Sequence, residues 1–249
     1  MNERPSVLRE TDEEARRLAR ILLRSTQHAP LAVIEPDSGF PSVSRTLVGT
    51  DIDGVPVILV SALSAHTKAL LADPHASLLA GEPGKGDPLA HPRLSVQCQA
   101  EKVNHDSALH ARLRGRFLAR HPKSALYIDF RDFCFFRLVP LAASLNGGFG
   151  KAYFLPGEDL LIRSAASEAI AGDREIIVRE LLEQHPLIVR GITERLNQKS
   201  HRNGRICGLD AAGLDLFWGE NMLRYEFDSQ LEVYNGPNSY ISKIEYSIP

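Results

Sequence analysis

The chain contains few cysteines and no long apolar run. Three cysteines stand among 249 residues, Cys98, Cys134 and Cys207, and they are scattered. An odd, scattered set argues against a disulfide framework and is typical of a reducing compartment, and no pair has the spacing of a zinc site. The longest apolar runs, such as residues 55–60, are far too short to span a bilayer. No charged-then-apolar leader opens the sequence, so we expect a cytoplasmic protein with no membrane partner.

An excess of one charge is also lacking. The formal net charge is -2 and the isoelectric point is near 6.5, so we expect no general attraction to nucleic acid. The four arginines between residues 112 and 120 are predicted to form a solvated helix face. Apolar residues make up 43% and charged residues 24%, which is close to the globular average and leaves enough apolar side chains for one large core or two ordinary ones.

The first 160 residues show strands joined by hairpins and short helices. Thr11 and Glu14 form a capping box at the start of a helix over residues 11–26. Asp53-Gly54 predicts a hairpin between a strand at 41–49 and its antiparallel return at 55–61. Further strands are predicted at 31–34, 76–80, 93–103 and 133–141, with helices from Ser64 to the Asp73-Pro74 stop and over 107–120. This order favours a small barrel with peripheral helices over a doubly wound sheet.

Residues 161–249 show a different pattern, helices followed by a meander of strands. Helices are predicted over 164–184 and 187–198, and strands over 205–209, 214–218 and 222–227. We therefore predict an α+β protein of two domains, a barrel at 1–160 and a small α+β domain at 161–249.

The stretch from Val60 to Lys68 offers the most chemistry. A strand ends there and a capped helix begins, and the junction holds a histidine, a lysine and three hydroxyl groups. A helix start presents unpaired N–H groups and partial positive charge, which favour a phosphate, and a lysine adds a full charge. The alternative is an ordinary helix cap with a solvated lysine. The polar residues of this turn are Ser61, Ser64, His66, Thr67 and Lys68.

Two arginines and a glycine-rich loop are further candidates. Arg45 lies between Val43 and Leu47 on an otherwise apolar strand face, where it could pair with a bound phosphate or simply reach water. Arg93 begins a later strand and could bind the same phosphate. Residues 147–150 read Gly-Gly-Phe-Gly, which suits the close approach of a flat ligand or a plain loop. The nine histidines are dispersed, so no metal triad is indicated, although any one of them could ligate haem iron.

Several short segments form a characteristic series when they are taken in order over roughly residues 15–155. They are 39–44, 60–67, 73–79, 86–90 with Arg93-Leu94, His121-Pro122 and 147–152. Together they resemble the haem-utilisation branch of the FMN-binding split-barrel superfamily, the group related to pyridoxamine 5'-phosphate oxidase. The resemblance implies a six-stranded antiparallel split β-barrel with peripheral helices, followed by a small C-terminal α+β domain. It also implies a homodimer with a small-molecule cofactor in a cleft at the dimer interface.

The resemblance implies a phosphate held by Arg45, Ser61 and Lys68, with Arg93 opening a later contact strand and Ser64, His66 and Thr67 in the same turn. Two departures matter. Ala62 and Leu63 stand where the oxidase has an asparagine and an aromatic residue, so we do not expect pyridoxamine phosphate oxidation. An Asn-x-Asp-His pattern is usual in the appended domain, and residues 192–197 lack its histidine.

Three functions follow from these observations. The first is an FMN-dependent oxidoreductase, with the flavin supplying the electron chemistry. The second is a haem-binding or haem-degrading protein, similar to a haem oxygenase, with one histidine on the iron. The third is a non-catalytic regulatory module that binds a ligand without turnover. The sequence identifies no catalytic acid, base or nucleophile.

Overall fold

A computed structural model describes residues 8–148, 150–196 and 204–248. The chain divides into two compact units between Leu161 and Ile162, and each is described by itself. Expectations that involve Phe149, or the end of the helix at 197–198, lie outside the described residues. No helix in the described ranges is long and apolar enough to cross a membrane, and the cytoplasmic location stays a prediction.

The first unit is one curled antiparallel sheet with helices around it. Among the described residues its order is β2-β1-β5-β6-β7-β4-β3, and β8 pairs with β7. The α+β class is confirmed. Besides the six long strands, the sheet contains a two-residue strand, β3, and a further strand, β8, neither of which we predicted. The strands are β1 (His28–Ile34), β2 (Pro41–Leu47), β3 (Gly49–Thr50), β4 (Pro56–Ser61), β5 (His75–Ala80), β6 (Arg93–Lys102), β7 (Phe133–Asn146) and β8 (Ala152–Pro156), and the helices are α1 (Glu13–Ser25), α2 (Ala65–Ala72) and α3 (Ala108–Arg120).

Helix α1 begins one residue later than the capping box predicted. Asp12 is its N-cap, and the Asp12 carboxylate accepts a hydrogen bond from Ala15 N (2.8 Å). Thr11 instead donates its hydroxyl to the carbonyl of Phe154 (2.9 Å). The capping box was wrong because Thr11 has a tertiary partner, and the adjacent Asp12 is an equally good cap.

The turn at Asp53-Gly54 forms, but it joins shorter strands than predicted. Gly54 has a φ of 87° and donates to Asp51 O, and Asp51 N donates to Val55 O. Only β3 pairs with β4 across this turn, because β2 pairs along its whole length with β1. The predicted pairing of strand 41–49 with strand 55–61 was therefore wrong for most of its length.

Alternation along the strands separates a buried inner face from an exposed outer one. In β6, Leu94, Val96 and Cys98 are buried, and the residues between them are exposed. In β1 and β2 the outward positions are mostly apolar as well. We call six of these positions the β1–β2 outer face: Pro30, Ala32, Ile34, Val43, Arg45 and Leu47.

The arginines of α3 are mostly not solvated, contrary to our prediction. Arg116 donates to the carbonyl of Thr50, and Arg120 is only 4% exposed. Arg112 forms two hydrogen bonds of 3.0 Å to the carboxylate of Asp51, which is fully buried. Burial alone would raise the pKa of Asp51, but the Arg112 guanidinium holds it below its ordinary value. Arg112 and Arg116 therefore fix α3 to the β3–β4 turn, whereas Arg120 donates to the carbonyls of Arg24 and Thr26.

The second unit contains four helices and a three-stranded sheet in the order β11-β10-β9, counted over its described residues. The single helix predicted at 164–184 was wrong, because the chain breaks at Asp173 between two helices. The last helix was not predicted. The elements are α4 (Ser167–Gly172), α5 (Arg174–Glu183), α6 (Pro186–Arg195), β9 (Arg205–Asp210), β10 (Gly213–Trp218), β11 (Asn221–Glu226) and α7 (Pro237–Ser247).

Candidate functional site

The junction between β4 and α2 forms a tight turn. Ser61 ends β4, and Ser64 N donates to Ser61 O (3.0 Å) before α2 begins at Ala65. Ser64 stands at the N-cap position, but its hydroxyl makes no capping hydrogen bond. Ala65 and His66 open the helix, where backbone N–H groups have no intrahelical acceptor. Five of the seven predicted site residues share this segment, which we call the β4–α2 turn (residues 61–68).

Two hydroxyl groups of the β4–α2 turn are engaged inside the protein. Ser61 donates to the carboxylate of Asp132 (2.7 Å) and accepts from Leu63 N (3.2 Å). Thr67 is fully buried and donates to the carbonyl of Ser61 (2.7 Å). Ser64 has no side-chain partner among the residues described. Of the three hydroxyls predicted for a ligand, only that of Ser64 therefore lacks a partner within the described ranges.

His66 is held by a residue of β2. A hydrogen bond joins Ser44 Oγ to His66 Nδ1 (3.1 Å), and no described residue contacts Nε2 by a hydrogen bond. Burial lowers the pKa of His66 below its ordinary value of 6.5, so the imidazole is neutral at neutral pH. In the tautomer in which Nδ1–H donates to Ser44 Oγ, Nε2 keeps a lone pair that a metal could accept.

The predicted cations lie at different places. Lys68 is exposed on α2, and it has no ion pair with a described residue. Arg45 is also exposed and unpaired in the described chain, but it belongs to the β1–β2 outer face, whereas the adjacent Ser44 faces His66. Arg93 donates to the carbonyl of Leu89 (3.1 Å). It pairs with Asn146 at the end of β7, whereas Ser61 pairs with Phe133 at the start of that strand. The structure therefore places Arg93 at the opposite end of β7 from the turn.

The glycine-rich loop is a tight connection between β7 and β8. Gly147 N donates to Lys151 O (2.7 Å), and Gly148 and Gly150 have φ values of 107° and 71°. A Cβ on Gly148 would lie 3.1 Å from the carbonyl oxygen of Ala90. The glycines are explained by this hairpin, which is the plain-loop alternative.

Sequence reasoning missed Ser44 and Asp132. Both touch the β4–α2 turn, but they are separated in sequence from their partners by 22 and 71 residues. The strand alternation that singled out Arg45 could also have placed Ser44 on the opposite face of β2. No local signal pointed to Asp132.

Residues 10–160 match the family described as CREG, beta-barrel. A chloroplastic heme oxygenase, HOZ, from Arabidopsis thaliana is 29% identical over 180 residues. The alignment covers 72% of this chain and 54% of the plant protein, so the chain spans about half the length of that relative. A solved structure of a protein of unknown function from Agrobacterium tumefaciens has a TM-score of 0.80 at 26% identity, covering 95% of this chain and 96% of the other. A heme binding protein from Mycobacterium smegmatis has a TM-score of 0.55 at 22% identity, with 98% of both chains covered, and shows likeness of fold.

Proposed function

We propose that this chain, which belongs to the CREG, beta-barrel family within the FMN-binding split-barrel superfamily, binds haem and supports its degradation. One observation carries the proposal. His66 is neutral, is hydrogen-bonded through Nδ1 to Ser44, and makes no hydrogen bond through Nε2 to a described residue. The similarity to a plant heme oxygenase adds support. Bound haem iron would supply the oxygen chemistry, and the protein would hold and orient it.

The residues around His66 fit a flat dianionic ligand. Lys68, two residues further on, is an exposed cation with no ion pair to any residue that the structure describes, and it suits a propionate. Leu63, in the same turn, is 82% exposed and offers apolar surface to a porphyrin. Of the predicted site residues, we assign iron to His66 and a propionate to Lys68.

We also propose that the protein is a homodimer. Val43 and Leu47 on the β1–β2 outer face are 67% and 36% exposed, and Phe40 just before β2 is 72% exposed. Contiguous exposed apolar surface of this kind is typical of an interface. Arg45 lies within this face. In such a dimer its guanidinium would therefore face the partner subunit and any ligand bound there.

FMN is the second candidate, and a specific observation favours it. The unpaired N–H groups at Ala65 and His66, the Ser64 hydroxyl and Lys68 together form an anion-binding arrangement at the start of α2. The Asp132 carboxylate bonded to Ser61 repels a phosphate and a propionate alike, so it does not separate the two candidates. We rank haem above FMN because the His66 imidazole offers an iron ligand, which FMN does not need.

A spectrum after reconstitution distinguishes the candidates. The protein is incubated with haem or with FMN, separated from excess by gel filtration, and scanned in the visible range. We expect a retained, shifted Soret band with haem. Retained flavin absorbance without a Soret shift would favour FMN over haem. If the protein retained neither absorbance, both assignments would be contradicted.

Degradation is tested separately from binding. Haem-loaded protein is supplied with ascorbate under air, and we expect the Soret band to decay faster than that of haem on serum albumin. A bound haem that decays no faster would leave binding in place but contradict haem degradation, and would favour the non-catalytic regulatory module.

A further inference from the structure

Strand β2 carries three hydroxyl groups on the face opposite to the β1–β2 outer face. They belong to Ser42, Ser44 and Thr46, at alternate positions of the strand. Thr46 is 6% exposed and donates its hydroxyl to the carbonyl of Leu47 (3.2 Å), and Ser42 is exposed. In the described part of the chain, only Ser44 of these three bonds to the β4–α2 turn, through Nδ1 of His66 (3.1 Å).

Both partners of this hydrogen bond stand on elements that the barrel core holds. Ser44 pairs in the β1–β2 ladder with Leu31, which is fully buried. In α2, Thr67 next to His66 is fully buried, and Leu70 one turn later belongs to the same apolar core as Leu31. Packing therefore sets the distance between the hydroxyl and the ring before any ligand arrives, which is what an organised ligand site needs.

The Ser44 hydroxyl is the only hydrogen-bond partner of the His66 ring among the described residues. Carboxylates and backbone carbonyls are the usual partners of the second nitrogen of a metal-binding histidine, and none of those described takes that place here. A hydroxyl can accept from Nδ1–H or donate to Nδ1, and only the first arrangement leaves a lone pair on Nε2. The role that Ser44 takes therefore decides whether His66 can ligate a metal.

We propose that Ser44 is the positioning residue of the haem site. Its hydroxyl accepts the Nδ1–H of His66, holds the ring with Nε2 towards the ligand, and sets how strongly the imidazole donates to iron. The proposal rests on the assignment of iron to His66. A neutral hydroxyl accepts a hydrogen bond about half as strong as one to a carboxylate, so Ser44 leaves the imidazole a weaker donor than a carboxylate partner would.

Haem-free protein tests the hydrogen bond by itself. NMR of the ring nitrogens at about pH 8, above the ordinary titration range of histidine, reports which nitrogen of His66 carries the proton. We expect Nδ1 in the wild type, in Ser44→Thr, which keeps a hydroxyl, and in Ser42→Ala, the matched control on the same face of β2. Ser44→Ala should lower the fraction protonated at Nδ1. Protonation mainly at Nε2 in the wild type, or no change in Ser44→Ala, would overturn the proposal whether or not haem binds.

Haem affinity tests the positioning of the ring. Ser44→Ala is expected to weaken haem binding about tenfold, the lower end of the usual effect of removing such a partner from a metal-ligating histidine. Ser44→Thr should retain most of the affinity, and Ser42→Ala should leave it unchanged. Equal affinities of the wild type and Ser44→Ala would contradict the positioning role.

The midpoint potential of bound haem separates the hydrogen bond from a merely structural effect. Ser44→Asp replaces the hydroxyl by a charged acceptor, which strengthens donation to iron and favours the ferric state. We expect the potential to fall by a tenfold shift of the ferric–ferrous equilibrium, about 59 mV for one electron. Ser42→Asp places the same charge on the same face of β2 without that bond and should shift the potential less. Equal shifts in the two variants would contradict a role of the hydrogen bond.

The outcomes separate this role from the haem assignment. If the Soret band and the haem affinity are unchanged in His66→Ala, the assignment of iron to His66 fails, and this proposal fails with it. If the band depends on His66 but the proton position, the affinity and the potential do not respond to Ser44, the haem assignment stands and the role of Ser44 alone is overturned.

Discussion

At the scale of single residues, the hydrogen bond between Ser44 and His66 decides what the β4–α2 turn can do. It fixes the ring and leaves Nε2 as the unpaired nitrogen. Sequence reasoning identified His66 because the turn is contiguous in sequence. It could not identify Ser44 as the partner, because that contact depends on how β2 lies against the turn.

The two histidines with lowered pKa values make stability depend on pH. Burial lowers the pKa of His66 and, first among several causes, that of His110, so the unfolded chain binds protons that the folded chain resists. Stability then falls as pH decreases below about 6.5, the ordinary histidine value, and is recovered above it. Urea unfolding at pH 7.5 and 5.5 measures this loss. The double variant His66→Gln, His110→Gln should reduce the loss, whereas the exposed His28→Gln should not, and an unchanged loss in the double variant would contradict the prediction.

At the scale of elements, the start of α1 shows how two adjacent residues compete for one role. The Asp12 carboxylate caps the helix, and Thr11 bonds elsewhere. We expect Asp12→Ala to lower the free energy of unfolding by about 1 kcal/mol, the usual effect of losing a cap. Thr11→Ala should cost less, because its hydrogen bond is exposed. Denaturant unfolding measures the free energy of unfolding of both variants. A larger loss for Thr11→Ala than for Asp12→Ala would contradict the assignment of Asp12 as the cap.

The elements that sequence predicted well are those fixed by local pattern. Strand alternation identified β6, and Asp73-Pro74 ended α2 as expected. The failures have tertiary causes. We predicted that the arginines of α3 are solvated, because their partners cannot be identified from local sequence. These partners, the Asp51 carboxylate and the carbonyls near β3, lie more than 60 residues away. In the candidate site, the turn was predictable, but the neighbours that occupy its hydroxyls were not.

At the scale of the whole molecule, the β1–β2 outer face is the surface through which we propose that two chains associate. Val43→Asp places a charge in its apolar part and should shift the mass measured by light scattering from dimer to monomer. Leu126→Asp is a matched control, because Leu126 is 78% exposed in the turn after α3, outside the β1–β2 outer face. A dimer that survives Val43→Asp, or a wild-type monomer, would contradict this interface.

The second unit depends on a buried ionic cluster of its own. Arg224 is 2% exposed and bonds to Asp210 (2.8 Å) and Asp215 (3.2 Å), with Glu226 3.9 Å away. Burial alone would lower the pKa of Arg224, but these carboxylates raise it, so the guanidinium stays charged. Arg224→Met leaves three acids without a counter-charge and should cost about 3–5 kcal/mol.

The thiols report which unit is affected by Arg224→Met. Cys207 lies in β9 of the second unit and Cys98 in β6 of the first, and both are buried. We expect Cys207 to become reactive towards a thiol reagent while Cys98 stays protected, because the unit division lies between them. Simultaneous exposure of both thiols would show that the units do not unfold independently.

The most direct test of the haem assignment is a Soret titration of the wild-type protein beside His66→Ala and His75→Ala. His75 is the matched control, since its side chain is 73% exposed at the start of β5. We expect a shifted Soret band for wild type and for His75→Ala, and its loss or marked change in His66→Ala. An identical Soret band and affinity in all three proteins would contradict the assignment of iron to His66.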